Sequence, residues 1–248
     1  MNILVCISLV PDTTTKVQVG TDGKSINQQG VKYILNPYDE FAIEEALQLR
    51  EKHGGTVTVV TVGPASAKEI LQRALAMGCE NAVLVNDPVC ADSYTVASSI
   101  VELAKEMKPD LVIFGRQSID YDSFVVPGMV AQMLDMPSIT MVSALTIDGT
   151  SVTAERDIDG GKESVASSLP CVVSAQKGLN DPRYPKLPDI MKAKSKPVTE
   201  RSPAAVSPRV EVISMEIPDN KRLNKILGES DADITELVRL LHEEAKVI

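Results

Sequence analysis

The sequence predicts an α/β protein organised around a mostly parallel sheet, followed by an extended C-terminal arm and a terminal helix. Three observations predict it. Short, nearly continuous apolar runs stop at turn signals: Met1 to Val10 (MNILVCISLV) at Pro11-Asp12, Thr56 to Val62 (TVTVVTV) at Gly63-Pro64, and Leu111 to Phe114 (LVIF) at Gly115. Such runs are the mark of strands buried on both faces. Helical periodicity fills the intervals between them, and that alternation means right-handed crossovers between parallel strands. From Thr146 onward the rhythm changes to paired strands and then to Pro-rich and linker composition.

Asn36-Pro37-Tyr38-Asp39 opens a helix over Glu40 to Lys52, whose apolar positions Phe41, Ile43, Ala46, Leu47 and Leu49 fit a 3.6-residue period; either Asn36 or Asp39 could cap it. A second helix follows over Ala65 to Met77, a short strand over Ala82 to Val85, and a helix over Ser93 to Met107 broken by Lys108-Pro109-Asp110. Val126 to Leu134 reads as a helix and Ser138 to Leu145 as a strand. Ser151 to Ile158 and Glu163 to Ser168 read as strands around the turn Asp159-Gly160-Gly161. Val172 to Ala175 is a short apolar strand, Gly178 to Pro197 a long polar loop carrying four prolines, and Thr199 to Pro208 a linker. Val210 to Ile217 alternates like an edge strand, and Asp231 to Lys246 is an amphipathic helix. The expected division is a core over residues 1–197 and an arm over 198–248 that packs on another chain. Ligands of parallel sheets sit beyond the carboxyl ends of the strands. That edge comprises Ile7 to Val10, Thr61 to Gly63 and Gly115 to Asp122.

Composition narrows the function. The 248 residues carry a net charge of −9, which disfavours nucleic acid and anionic membranes, and three Phe, five Tyr and no Trp leave little for base stacking. Two histidines, His53 and His242, nearly exclude a His-based triad or a His-rich metal site. Cys6, Cys79, Cys90 and Cys171 form no Cys-x-x-Cys pair and read as buried thiols. No apolar run is long enough for a membrane span and no signal peptide is evident, so a cytoplasmic protein is expected.

Two segments carry candidate chemistry. Gly115 to Gly128 (GRQSIDYDSFVVPG) joins a buried strand to a helix whose free amides would attract phosphate. Asp120 and Asp122 could accept from ribose hydroxyls or merely cap the loop; an acid–base role lacks basic, nucleophilic or metal-ligand company. No Walker A or G-x-G-x-x-G pattern occurs. Asn180 to Lys196 concentrates Arg183, Lys186, Lys192, Lys194 and Lys196 around Leu187. It reads either as a docking loop for an acidic partner or as a solvated loop.

These residues resemble a known family. Val152 to Ala175 (VTAERDIDGGKESVASSLPCVVSA), Asn180 to Pro197 (NDPRYPKLPDIMKAKSKP), Leu35 to Leu47 (LNPYDEFAIEEAL), Ala74 to Gly78 (ALAMG) and Gly115 to Asp120 (GRQSID) are together similar to the β subunit of electron-transfer flavoproteins, over nearly the whole chain. The resemblance implies an adenine-nucleotide α-hydrolase-like core and an electron carrier rather than an enzyme. The chain would be half of a heterodimer whose α subunit holds the redox-active FAD. Electrons would pass from flavin dehydrogenases of the acyl-CoA dehydrogenase type, hence fatty acid oxidation, to a quinone reductase or other acceptor. Residues 178–197 would form the recognition loop, with Leu187 entering a pocket on the dehydrogenase and Arg183, Tyr184, Ile190, Met191 and Lys192 around it. Residues 198–248 would embrace the α subunit.

The resemblance also implies a structural AMP in this subunit, held by Cys6, Asn36, Pro37, Tyr38, Asp39, Val62, Gly115, Asp120, Asp122, Ser123, Phe124, Val125 and Val126. Here the chain departs from the family pattern. AMP-type members continue the Asp-x-Asp loop with Asn-Gln-Thr-Gly, and electron-bifurcating members, which hold a second FAD, carry Thr-Ala-Gln-Val-Gly. This chain has Ser123-Phe124-Val125-Val126-Pro127-Gly128, and Pro127 removes an amide donor. Val10-Pro11-Asp12-Thr13 resembles the bifurcating side. AMP is the preferred expectation and a second FAD the alternative. The readings from other classes are a stand-alone nucleotide-binding module and a nucleotide-hydrolysing enzyme using Asp120 and Asp122.

Overall fold

The computed structural model describes residues 1–90, 92–218 and 224–248. They form two compact units, Met1–Ser214 and Met215–Ile248. The first is a three-layer α/β/α unit. Its strands in chain order are β1 (Asn2–Cys6), β2 (Leu9–Pro11), β3 (Tyr33–Leu35), β4 (Thr56–Gly63), β5 (Asn81–Asn86), β6 (Leu111–Gly115), β7 (Ser138–Asp148), β8 (Ser151–Ile158), β9 (Gly161–Ser168), β10 (Cys171–Ala175) and β11 (Thr199–Arg201). Nine of these make one sheet in the order β11-β5-β4-β1-β6-β10-β7-β8-β9. It is parallel from β11 to β7, and β8 and β9 continue it as antiparallel strands.

The apolar runs are continuous because both faces are covered, and alternate residues serve opposite layers. In β1, Ile3 and Val5 face one layer while Leu4 and Cys6 face the other; Leu111 and Ile113 alternate with Val112 and Phe114 in β6 in the same way. One layer holds α1 (Pro37–His53) and α2 (Lys68–Met77); the other holds α3 (Ser93–Met107) and α4 (Val125–Leu134). Two shorter helices follow, α5 (Leu187–Ala193) and α6 (Asp231–Arg239).

Several expectations are corrected. Met1 to Val10 is not one strand. The chain leaves the sheet after Cys6, with the Ser8 amide bonded to a side chain, and β2 pairs with β3 as a separate two-stranded ribbon. Inside the Pro-rich loop, Leu187–Ala193 is helical: Pro188 lies in its first turn, where a missing N–H costs nothing, and Ala193 is buried against α2. Thr199–Arg201, taken as linker, pairs with β5 as an edge strand. Val210 to Ile217 forms no strand, since β11 already covers that edge of the sheet. In the second unit, α6 starts at a Ser230–Asp233 capping box and passes into a π-helical turn over Leu240–Glu244.

Gly115 closes β6 at the point where the helix α1 N-terminus crosses the strand end. A Cβ there would lie 2.2 Å from Asp39 Oδ1, 2.7 Å from the Tyr38 carbonyl carbon and 2.8 Å from the Asp39 nitrogen. Two of these are backbone atoms and the third is a hydrogen-bonded carboxylate oxygen, so none can swing away. Gly115→Ala should therefore destabilise the fold by about 2 kcal/mol or more, measured by urea unfolding.

Candidate functional site

A cleft with about 80 Å³ of open space lies at the carboxyl end of the sheet, between the ends of β1, β4 and β6 and the helices α3 and α4. One wall is apolar, formed by Val60 and Val62 of β4, Val96 and Ile100 of α3, and Phe114 of β6. Its lining also includes the polar residues Ser8, Asp39, Arg116, Gln117, Ser118 and Ser123.

Asp39 organises the polar lining. Its Oδ2 accepts from the Ser8 amide at 2.7 Å, and its Oδ1 accepts from the Gly115 amide at 3.2 Å and from Asn36 Nδ2 at 2.9 Å. Asn36 Nδ2 also donates to the Gln117 carbonyl at 2.8 Å, so this side chain braces the loop after β6 instead of capping α1. Burial pushes the Asp39 carboxyl up to about 7, against the pull of the Asn36, Ser8 and Gly115 donors, and Asp120 adds a small push in the same direction. Burial, and then the Asp39 charge, hold the Cys6 thiol well above its ordinary range, so it lines the cleft as a neutral group.

The loop after β6 shapes the mouth. The Arg116 guanidinium lies over the Phe124 ring, 5.1 Å from its centroid, and its Nη1 donates to Gln176 at 3.2 Å. Asp122, at φ 55, accepts from Gln117 Nε2, and Asp120 accepts from the Tyr121 amide. Helix α4 begins at Phe124 with no side-chain cap. Buried Arg116 Nε and Gln117 Oε1 have no partner among the described residues.

Of the expected cofactor residues, Cys6, Asp39, Val62, Gly115, Ser123 and Val126 line this cleft. Asn36 stands behind it, Pro37 and Tyr38 form the first turn of α1, and Asp120, Asp122, Phe124 and Val125 are exposed around the loop. Ser8, Arg116 and Gln117 fall within the strand-end edge read from the sequence but were not singled out as cofactor residues, and Val96 and Ile100 lay outside it. The polar Ser8 within the first apolar run and the Arg116-Gln117 pair directly after a buried strand were the available signals.

The cleft offers apolar side chains to a planar group, and the uncapped α4 amides and the unpartnered Arg116 Nε are donors available to an anion. Pro127 leaves α4 one donor short. Among the described residues no His, Cys, Asp and Glu group is arranged to hold a metal ion, and no helix is long and apolar enough to cross a membrane.

Away from the cleft, the expected docking residues divide. Tyr184 and Leu187 are 85% and 73% exposed, Ile190 and Met191 are exposed beside them, and Lys192 is exposed. Arg183 instead pairs with Glu44 and Glu51 of α1.

Residues 24–206 match the electron transfer flavoprotein domain family. The chain belongs to that family. Over 259 residues, spanning all of both chains, it is 44% identical to electron transfer flavoprotein subunit beta of Bacillus subtilis, and 38% identical over 253 residues to that of Bradyrhizobium diazoefficiens. The human protein of the same name is 37% identical over 230 residues, which cover 89% of this chain and 90% of the human one. Membership on the β-subunit side makes electron transport in a flavoprotein the role of the chain.

The buried Asp39 carboxyl has a pH signature. Its value is raised on folding, so the folded state holds the proton more tightly than the unfolded chain. Its contribution to stability is full below about 4 and is lost as pH rises through about 7. Thermal unfolding of the parent chain should weaken more steeply between these limits than that of Asp39→Asn. Asp39→Asn should also be less stable by about 2 kcal/mol, because an amide offers one acceptor where two oxygens serve three donors.

Proposed function

We propose that the chain is the β subunit of a heterodimeric electron-transfer flavoprotein, docking flavin dehydrogenases of the acyl-CoA dehydrogenase type through α5. The observation that carries the docking reading is the exposed apolar patch of Tyr184, Leu187, Ile190 and Met191, flanked by Lys186, Lys192 and Lys194. An apolar anchor within a rim of charge is the composition of an interface hot spot. The partner would be an α subunit, as the β-subunit names of the relatives imply. The exposed Val206, Val210, Val212 and Ile213 of the arm support a covering chain.

When bound, mainly by the α subunit, FAD supplies the redox chemistry of such a carrier. What this chain contributes is binding and placement. The side chains of Val62, Val96 and Ile100 would pack on the adenine of an AMP, and Arg116, Ser123 and the Val125 and Val126 amides would face its phosphate. Asp39 fixes the floor of the cleft by binding three amide donors. Delivery of electrons to a quinone reductase or similar acceptor, in a cytoplasmic setting, completes the reading.

Two experiments test it. Co-expression with the larger subunit should give a yellow heterodimer that releases one FAD and one AMP on denaturation; two FAD would reverse the AMP assignment, and a colourless protein that never associates would end the carrier reading. Leu187→Ala should raise the KM for the donor dehydrogenase about tenfold with the flavin retained; unchanged kinetics would remove α5 from docking.

A further inference from the structure

Arg183 stands in the middle of the basic docking segment, yet its side chain points into the protein. Its Nε donates to Glu44 Oε2 at 2.8 Å, its Nη2 to Glu44 Oε1 at 2.9 Å and its Nη1 to Glu51 Oε1 at 2.6 Å. Its backbone amide donates to Glu44 Oε2 at 3.1 Å. The Glu44 side chain is only 4% exposed. Burial alone would lift its carboxyl, but the Arg183 and Gln48 hydrogen bonds outweigh burial and hold it below the ordinary carboxylate range.

Other contacts fix the same segment. Asn180 Nδ2 donates to the Phe41 carbonyl at 3.1 Å and to Glu45 at 2.9 Å. At the far end, Lys196 Nζ donates to the Cys79 carbonyl at 3.0 Å, and Ala193 is buried against α2. Between these fixed points the chain turns Tyr184, Leu187 and Met191 outward.

We infer that Arg183 is a positioning residue: through Glu44 and Glu51 it clamps the α5 segment to helix α1 and so presents the exposed patch, rather than meeting the dehydrogenase itself. The inference rests on the docking reading above. All three guanidinium nitrogens are occupied within the chain, and the chelated carboxylate is buried, where losing its partner leaves a charge uncompensated. Within this segment, Lys186, Lys192 and Lys194 are exposed and make no ion pair among the described residues, so they are the cations that would meet an acidic partner.

The test uses the co-expressed heterodimer with Arg183→Gln, Glu44→Gln, the double variant, Lys192→Ala and Leu187→Ala. Two readouts are taken: amide hydrogen exchange over residues 180–196, and electron transfer from a purified acyl-CoA dehydrogenase at several salt concentrations. Arg183→Gln should speed exchange in that segment about tenfold and raise KM with kcat and the salt dependence unchanged. Glu44→Gln should do the same although Glu44 is buried, and the double variant, which removes both charges and keeps the fold accessible, should be no worse than either single. Lys192→Ala, by contrast, should flatten the salt dependence. Slow exchange in Arg183→Gln, or a flattened salt dependence there with Glu44→Gln silent, would make Arg183 a direct docking cation and overturn the inference. If Leu187→Ala leaves KM unchanged the docking reading fails, and the exchange readout still decides the clamp.

Discussion

The cleft end of this protein depends on one buried carboxylate. Asp39 gathers the Ser8 amide beyond β1, the Gly115 amide at the end of β6 and the Asn36 side chain at the start of α1. These groups lie far apart in sequence and would otherwise be unpaired donors in an apolar setting, each costly to bury. The same contact makes the residue opposite it a glycine, because any side chain at Gly115 would occupy the space of the carboxylate. A carboxyl raised to about 7 in a cleft is ordinarily a candidate acid or base. Here both oxygens are already committed to donors of the fold, so the shift marks the cost of burial and the group serves as a joint.

Helix α1 carries that joint to a second surface. Its first turn holds Asp39, and further along it Glu44, Glu45 and Glu51 hold Asn180 and Arg183. At a rise of about 1.5 Å per residue, the stretch from Asp39 to Glu51 spans roughly 18 Å. One element therefore locates both the cleft and the base of the α5 segment. This also explains acidic residues on the buried face of a helix. Glu44 and Glu45 are not failures of amphipathic patterning but anchors for a loop that has little hydrophobic surface with which to hold itself.

The sheet was legible in the sequence because its strands are covered on both faces, and unbroken runs such as LVIF admit few other readings. What sequence could not give is governed by contacts distant in the chain. Nothing local shows that Ser8 leaves the ladder to bind Asp39, or that Thr199–Arg201 finds the free edge of β5. Leu187–Ala193 was hidden by prolines, although Pro188 sits where a helix tolerates it. The cleft was half visible. Cys6, Val62 and Gly115 end apolar runs and were readable from strand position, whereas Arg116 was overshadowed by the acidic pair that follows it. The pairing of Arg183 with Glu44 and Glu51 was not legible for a plain reason: charge counts along a sequence do not say which cations are already paired within the fold.

That distinction bears on how such a surface can be specific. An exposed leucine on an unsupported loop pays an ordering cost each time it binds, and that cost is subtracted from affinity. In this chain the ordering is done by the fold: Arg183 pairs with a buried carboxylate, Asn180 bonds Glu45 of α1, and Lys196 bonds the Cys79 carbonyl just after α2. The patch itself stays small, a few apolar side chains on a helix of seven residues. A small, preordered contact gives recognition without the large buried area that would slow release. On the docking reading proposed above, a segment ordered by the fold and presenting a small interface would serve binding and release at once.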